Sequence, residues 1–270
     1  MRYRSILALL LVFLIGFILF SDRLIGLMLF RPTAGAPIQP ERLGLRAEGV
    51  WLESGEGVRI HAYWLPVEGA EKAILYLHGN GGNASLALPT ASEILRFGAS
   101  VLVLDYRGYG LSEGAPSEEG VYQDARAGLA YLMEVQGFPE DRIIVMGQSL
   151  GGAIAVDLAQ DRELAGLVLE STFDSLANAF RLRLPFVKSL LSGRFESDRK
   201  ILRVKSPVLF IHGDLDETVP RASGERLFAL APEPRDFLVV PGAGHNDVSL
   251  VGGRVYFDRL GDFIGSVGAR

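Results

Sequence analysis

Two hydrophobic rhythms divide the chain. Residues 6–20 (I-L-A-L-L-L-V-F-L-I-G-F-I-L-F) carry no charge or strong polar group, and after Ser21-Asp22-Arg23 a second apolar run reaches from Leu24 to Phe30. From residue 47 onward the apolar stretches are short and regularly interrupted. Val50-Trp51-Leu52-Glu53 and Val58 to Trp64 flank Ser54-Gly55-Glu56-Gly57, and the alternation in the second run predicts a β-hairpin. Strand-length runs at 73–77, 99–104, 142–146, 166–169, 207–211 and 236–240 then alternate with helix-like stretches at 85–97, 117–135, 150–160, 221–230 and 247–265. Near-continuous apolar strands separated by helices are what a mainly parallel sheet covered on both faces requires, so the pattern predicts an α/β fold.

The uninterrupted N-terminal run reads as an N-terminal transmembrane anchor with its flank over residues 1–31. Fifteen residues fall short of the ~20 a bilayer needs, but Ser5 and a snorkelling Arg23 extend the span. Arg2 and Arg4 favour a cytoplasmic N-terminus, hence an extracytoplasmic domain, although Arg23 and Arg31 pull the other way. A cleaved signal peptide, leaving a secreted protein, is the alternative. Its small-residue site would have to be Thr33-Ala34-Gly35-Ala36, beyond the second apolar run. Residues 32–46, rich in Pro and Gly and without a hydrophobic period, read as a linker; residues 47–270 are the folded domain.

The longest break in the strand and helix alternation is 171–204. Between Arg181 and Lys205 it carries eight Lys or Arg against Glu196 and Asp198, interleaved with Leu182, Leu184, Phe186, Val187, Leu190 and Leu191. It is either a solvated excursion or a lid whose basic face meets an anionic membrane or substrate. Composition narrows the remaining choices. A net charge of −5 argues against a nucleic-acid partner, and the absence of cysteine excludes disulfides, thiolate catalysis and Cys-based metal sites.

Residues 77–84, L-H-G-N-G-G-N-A, pose the first chemical question. Gly79, Gly81 and Ala84 fit a dinucleotide-binding turn, with Asp105 about 20 residues on as the ribose acid. The hairpin ahead of the supposed first strand opposes that reading. The same loop can instead present amides to an oxyanion.

A second motif favours the oxyanion. Gly147-Gln148-Ser149-Leu150-Gly151-Gly152 follows the strand-like Ile143-Ile144-Val145-Met146 and opens a helix, the G-x-S-x-G context that lifts a serine hydroxyl clear of a sheet edge. Serine needs a base. Of four histidines, His61 belongs to the hairpin and His78 precedes the serine; His212 ends a strand and reads as packed, which leaves His245 in the Gly-rich loop 241–247. The orienting acid should follow the preceding strand, where Asp214, Asp216 and Glu217 lie. Asp214 is better placed to tighten the turn and Glu170, at a strand end, to bond locally, so Asp216 is favoured.

With Ser149, Asp216 and His245 assigned, the chain resembles the α/β-hydrolases over roughly residues 47–265. L-H-G-N-G-G-N at 77–83, D-Y-R-G-Y-G-L-S-E-G at 105–114, G-Q-S-L-G-G at 147–152, H-G-D-L-D-E-T-V-P at 212–220 and G-A-G-H-N-D at 242–247 carry the resemblance. It is most similar to the small, N-terminally anchored branch with bacterial and fungal membrane-associated hydrolases and animal depalmitoylases, and is related to serine aminopeptidases. The resemblance implies an α/β-hydrolase fold with an N-terminal hairpin, helices on both faces and a short lid. It also implies an oxyanion hole from the backbone N–H groups of Asn80 and Leu150, a bracing role for Asp105 and Arg107, and chemistry without metal or organic cofactor. The expected function is cleavage of an ester, thioester or amide with an apolar or lipid-like acyl group. A non-catalytic receptor or scaffold, and an aminopeptidase-like peptidase, are the alternatives. The depalmitoylases' N-terminal cysteine cluster is missing, so their substrate is not carried over.

Overall fold

The computed structural model of the chain describes residue 26, residues 28–179 and residues 191–268. Residues 1–25 and 27 of the expected membrane anchor and its flank, and residues 180–190 of the 171–204 insertion, lie outside them. Among the described residues no helix is long and apolar enough to cross a membrane.

In chain order the strands are β1 (Arg31–Pro32), β2 (Glu48–Glu53), β3 (Arg59–Leu65), β4 (Lys72–Leu77), β5 (Gly81–Gly82), β6 (Ala99–Leu104), β7 (Ile143–Gln148), β8 (Gly166–Glu170), β9 (Val208–Gly213) and β10 (Arg235–Val240). The longer helices are α1 (Leu88–Ile94), α2 (Glu118–Ala130), α3 (Leu150–Ala159), α4 (Arg221–Leu230) and α5 (Val248–Ser266). Eight strands form one sheet in the order β10-β9-β8-β7-β4-β6-β3-β2. The hairpin β2–β3 and the β3–β6 pair are antiparallel; β4 and β6 to β10 run parallel to one another.

The all-apolar strands are explained by what covers them. Side chains alternate faces along a strand: Leu75 and Leu77 of β4, Leu102 and Leu104 of β6 and Val145 of β7 pack into one core with α2 and α3. Ile74 and Tyr76, Val101 and Val103, Ile144 and Met146 pack into the other with α1 and α5. Helix α2 starts where Ser117 Oγ accepts the Gly120 amide at 3.1 Å, with Glu118 and Glu119 in its first turn, so a cap and two acids meet the positive end of the helix dipole. Beyond α2 the expected helix continues only as a single wide turn, Tyr131–Val135.

The segment read as a linker is not free of the domain. β1 pairs in parallel with β5, Ala34 bridges to Gly110, and Gly35 N–H donates to the Gly110 carbonyl at 2.8 Å. Short backbone pairing of this kind leaves no hydrophobic period, which is why composition alone reads it as linker. The described ends of the 171–204 insertion are also fastened. Asp174 takes Arg226 at 2.8 and 3.1 Å, Phe195 N–H donates to Glu118 at 2.7 Å, and Leu176, Leu191 and Phe195 are buried. Among its described basic residues, Arg199 pairs with Glu196 at 3.1 Å, Lys200 with Asp157 at 2.6 Å, and Arg203 with Asp161.

Candidate active site

The parallel strands all end at one edge, where the loops after β4, β7, β9 and β10 meet; in open α/β sheets this is where chemistry collects. At the end of β7 the chain turns directly into α3 through Ser149, whose backbone is held at φ 53° and ψ −114°. Such a conformation costs a non-glycine residue roughly 1–3 kcal/mol. The surroundings hold it: Ser149 N–H donates to the Glu170 carbonyl at 2.8 Å, and the Thr172 hydroxyl donates to the Ser149 carbonyl at 2.9 Å. The glycines of the motif answer to space. A Cβ on Gly151 would collide with the Leu77 carbonyl, and one on Gly147 with the backbone of Gly151.

The three residues singled out in the sequence come together. Ser149 Oγ–H donates to His245 Nε2 at 3.0 Å, and His245 Nδ1–H donates to Asp216 Oδ2 at 2.7 Å. Asp216 is fixed in turn, since its Oδ1 accepts the amides of Thr218 at 2.9 Å and Val219 at 2.8 Å. The loops carrying acid and base are laced together: Leu215 N–H donates to the Ala243 carbonyl at 2.9 Å and Gly242 N–H to Asp214 Oδ1 at 2.7 Å. Asp214 thus tightens the turn as expected, and Glu217 is exposed.

His212 does more than pack. Its Nε2–H donates to the Val219 carbonyl at 2.9 Å and lies 3.3 Å from Asp216 Oδ2. Burial works to raise the Asp216 carboxyl, but hydrogen bonds from His212, His245 and the Val219 amide outweigh it and hold the group well below the usual carboxylate range. The acid is a fixed anion, suited to orienting an imidazole and stabilising its protonated form.

Asn80 and Leu150, the residues expected to offer amides, both border a cavity that opens on Ser149. Leu150 is the first residue of α3, so its N–H has no intrahelical acceptor. The Asn80 carbonyl accepts from Arg31 N–H at 2.9 Å and from the Tyr109 hydroxyl at 2.8 Å, and its side-chain Nδ2 donates to the Leu29 carbonyl at 2.9 Å. Among the described residues its backbone N–H has no hydrogen-bond partner.

The dinucleotide reading of this loop fails on Asp105. That residue is 1 % exposed, and its Oδ1 accepts the Ala84 amide at 2.7 Å, so it braces the loop and cannot reach a ribose. Arg107 is likewise internal, gripping Asp124 through Nη2 at 3.0 Å and Ser54 Oγ at 3.1 Å. Tyr106 and Tyr109 are fully buried, and Tyr106 donates to the His78 carbonyl at 2.9 Å. Burial holds His78 below its ordinary pKa, a neutral packing residue.

Among the described residues, two cavities open on Ser149. One, of about 70 Å³, is apolar, with Leu29, Phe173, Leu176, Ala179 and Val219 around Ser149. The other, of about 660 Å³, lies on the His245 side and is bordered by Asn83, Thr90, Asn246, Ser249 and Arg31. Thr172 and Leu29 are site residues that sequence reasoning missed. Thr172 follows a parallel strand at the edge where the site forms, a position that flags it; Leu29 is one leucine in an apolar run and carries no signal.

An eight-stranded sheet with a strained serine between strand and helix defines the α/β-hydrolase class, and the chain belongs to that superfamily as a hydrolase. Residues 68–197 match the family described as serine aminopeptidase, S33. The chain is 38 % identical over 88 % of its length to an uncharacterised protein of Mycobacterium tuberculosis, covering 86 % of it. It is 35 % identical to the α/β-hydrolase domain-containing protein WAV2 of Arabidopsis thaliana, over 82 % of this chain and 79 % of that protein. Protein bem46 of Schizosaccharomyces pombe is 36 % identical, over 83 % and 79 %. Among solved structures, an esterase of Pyrococcus furiosus superposes with a TM-score of 0.73 at 22 % identity, covering 89 % of this chain and all of that one. An α/β hydrolase of Vibrio vulnificus gives 0.70 at 26 %, covering 80 % and 81 %.

Proposed function

We propose that the protein is a serine hydrolase that cleaves carboxylic esters through an acyl-Ser149 intermediate. The observation that carries this reading is the unbroken hydrogen-bond chain Ser149–His245–Asp216 at a strained strand-to-helix turn. Attack forms the Ser149 Oγ–carbonyl bond as the hydroxyl proton passes to His245 Nε2, and the carbonyl electron pair moves onto oxygen between the Asn80 and Leu150 amides. Two such preorganised donors are worth roughly 3 kcal/mol each in a water-poor site. Collapse breaks the bond to the leaving atom, which takes the proton from His245. A water then repeats the sequence, releasing the acid and restoring Ser149.

The base also assigns the two cavities. The leaving group must lie within reach of the proton on His245, so the alcohol half belongs in the polar cavity that His245 borders and the acyl half in the apolar one. An aminopeptidase would need a carboxylate to anchor the substrate ammonium. No described residue bordering either cavity is acidic, which favours esters.

The test is pre-steady-state hydrolysis of p-nitrophenyl acetate. A burst of one nitrophenolate per protein, and a loss of at least about 10⁴-fold in kcat for Ser149→Ala, are expected; equal turnover by the two proteins overturns the mechanism. We further propose that the N-terminal apolar segment tethers the enzyme to a membrane with its domain outside the cytosol. Extraction of the full chain from membranes by alkaline carbonate would refute the tether.

A further inference from the structure

The segment that leads into the domain from the N-terminus runs past the nucleophile. Leu29 and Phe30 are each 6 % exposed, and Phe30 packs edge-on against Phe195 at 6.5 Å. From Leu29 onward the backbone is stitched to the loop after β4 on alternate residues. The Leu29 carbonyl accepts Asn80 Nδ2–H at 2.9 Å, Arg31 N–H donates to the Asn80 carbonyl at 2.9 Å, and Thr33 N–H donates to the Gly82 carbonyl at 2.9 Å. From the other side, Asn83 Nδ2 donates to the carbonyls of Thr33 and Gly35 at 3.0 and 2.9 Å. The Asn80 carbonyl and its side-chain Nδ2 are both held, and residues 29–31 supply two of the three partners.

The same strap shapes the pocket, because the Leu29 side chain forms one wall of the apolar cavity. An apolar cavity of about 150 Å³ takes a six-carbon ring; at about 70 Å³ this one has room for roughly three carbons beside the reacting carbonyl. That is narrower than the lipid-like acyl chain expected from the sequence.

We propose that the strap of residues 28–35 is a working part of the catalytic site: it positions the Asn80 amide for the oxyanion, and Leu29 restricts the substrate to esters of short acyl chains, about two to four carbons long. The inference rests on the acyl-enzyme reading above and adds a substrate class and two residues to it. Asn80 acts here through its side chain as a positioning residue, Leu29 as a specificity-determining one.

The experiment is a kcat/KM series on p-nitrophenyl esters from acetate to dodecanoate, with the full-length wild type, Leu29→Ala, Leu29→Phe and Asn80→Ala, each also assayed for fluorophosphonate labelling of Ser149. Wild type is expected to peak at two to four carbons and to lose about tenfold or more by octanoate. Leu29→Ala should shift the peak longer by roughly three carbons, the number of side-chain carbons removed, and Leu29→Phe should confine activity to acetate. Asn80→Ala should lower kcat about 10- to 100-fold with KM nearly unchanged, a split that a general loss of fold does not give. A wild type that prefers octanoate or longer, or peaks that coincide in both Leu29 variants, overturns the acyl limit even if Ser149 labels fully. An Asn80→Ala kcat equal to wild type overturns the strap's role. Absence of both turnover and labelling in wild type removes the acyl-enzyme reading and this proposal with it.

Discussion

The Tyr256 hydroxyl donates to Glu170 Oε2 at 2.6 Å, and the pair is buried behind the nucleophile, with the Gln148 side chain donating to Glu170 Oε1 at 2.9 Å. Glu170 is at the same time the residue whose carbonyl accepts the Ser149 amide. Its carboxyl is pushed up by burial, against the opposing pull of the hydrogen bonds from Tyr256 and Gln148 and of the nearby histidines.

A pH dependence follows, with its sign fixed by that shift. A carboxyl whose folded pKa lies above its unfolded value of about 4.3 contributes stability that is complete below that pH and is lost as pH rises through the folded value. Glu170→Gln removes the titration. The variant should therefore gain on wild type as pH rises from 5 to 8, measured as the difference in urea midpoint. Parallel pH profiles would contradict the assignment.

Asp216 has the opposite sign. Its folded pKa is held below the unfolded value of about 3.9, so its contribution is present above pH 4 and lost as pH falls through the depressed value. Asp216→Asn should flatten the acid limb of the stability curve. It should also lower kcat by about 10⁴-fold with KM changed only a few-fold, because the imidazole loses both its orientation and its counter-charge. Steady-state kinetics beside acid titration by circular dichroism read both effects.

Arg107 and Asp124 form a buried pair, 5 % and 0 % exposed at the side chain. Removing one partner strands the other, so Arg107→Met should cost about 3–5 kcal/mol in urea unfolding, whereas Arg107→Met with Asp124→Leu should recover most of it. The double variant measures the pair against an apolar replacement. If Arg107→Met is as stable as wild type, the loop 105–114 is braced by something else.

Gly151→Ala tests the packing of the turn. The added Cβ meets the Leu77 and His78 carbonyls, which belong to the backbone just ahead of Asn80. Helix α3 must back away from β4, with an expected loss of about 1–3 kcal/mol and a fall in kcat from the displaced oxyanion amides. Thermal unfolding and turnover should drop together; a variant matching wild type in both would refute the steric account.

Much of this site is legible in the chain because chemistry and geometry coincide in short motifs. Gly147, Ser149 and Gly151 are needed within one tight turn, and Asp216 and His245 each sit just past a strand whose apolar run marks its end. Strand cores were legible for the same reason, since burial on both faces leaves no polar interruption. The parts that escape depend on distant backbone pairing. The Arg31–Pro32 pairing with Gly81–Gly82 uses main-chain groups that any residues possess, so nothing in residues 32–46 announces that they belong to the domain. Leu29 is hidden by its own apolar neighbours, and the second contact of His212 with Asp216 arises only when β9 and the following turn fold back on each other.

The central claim is that Ser149 is the nucleophile, and covalent labelling with a fluorophosphonate tests it most directly. The wild-type protein should take up one phosphonyl group on the peptide containing Ser149, and Ser149→Ala should take up none. Unlabelled wild type, or equal labelling of the variant, would contradict the account.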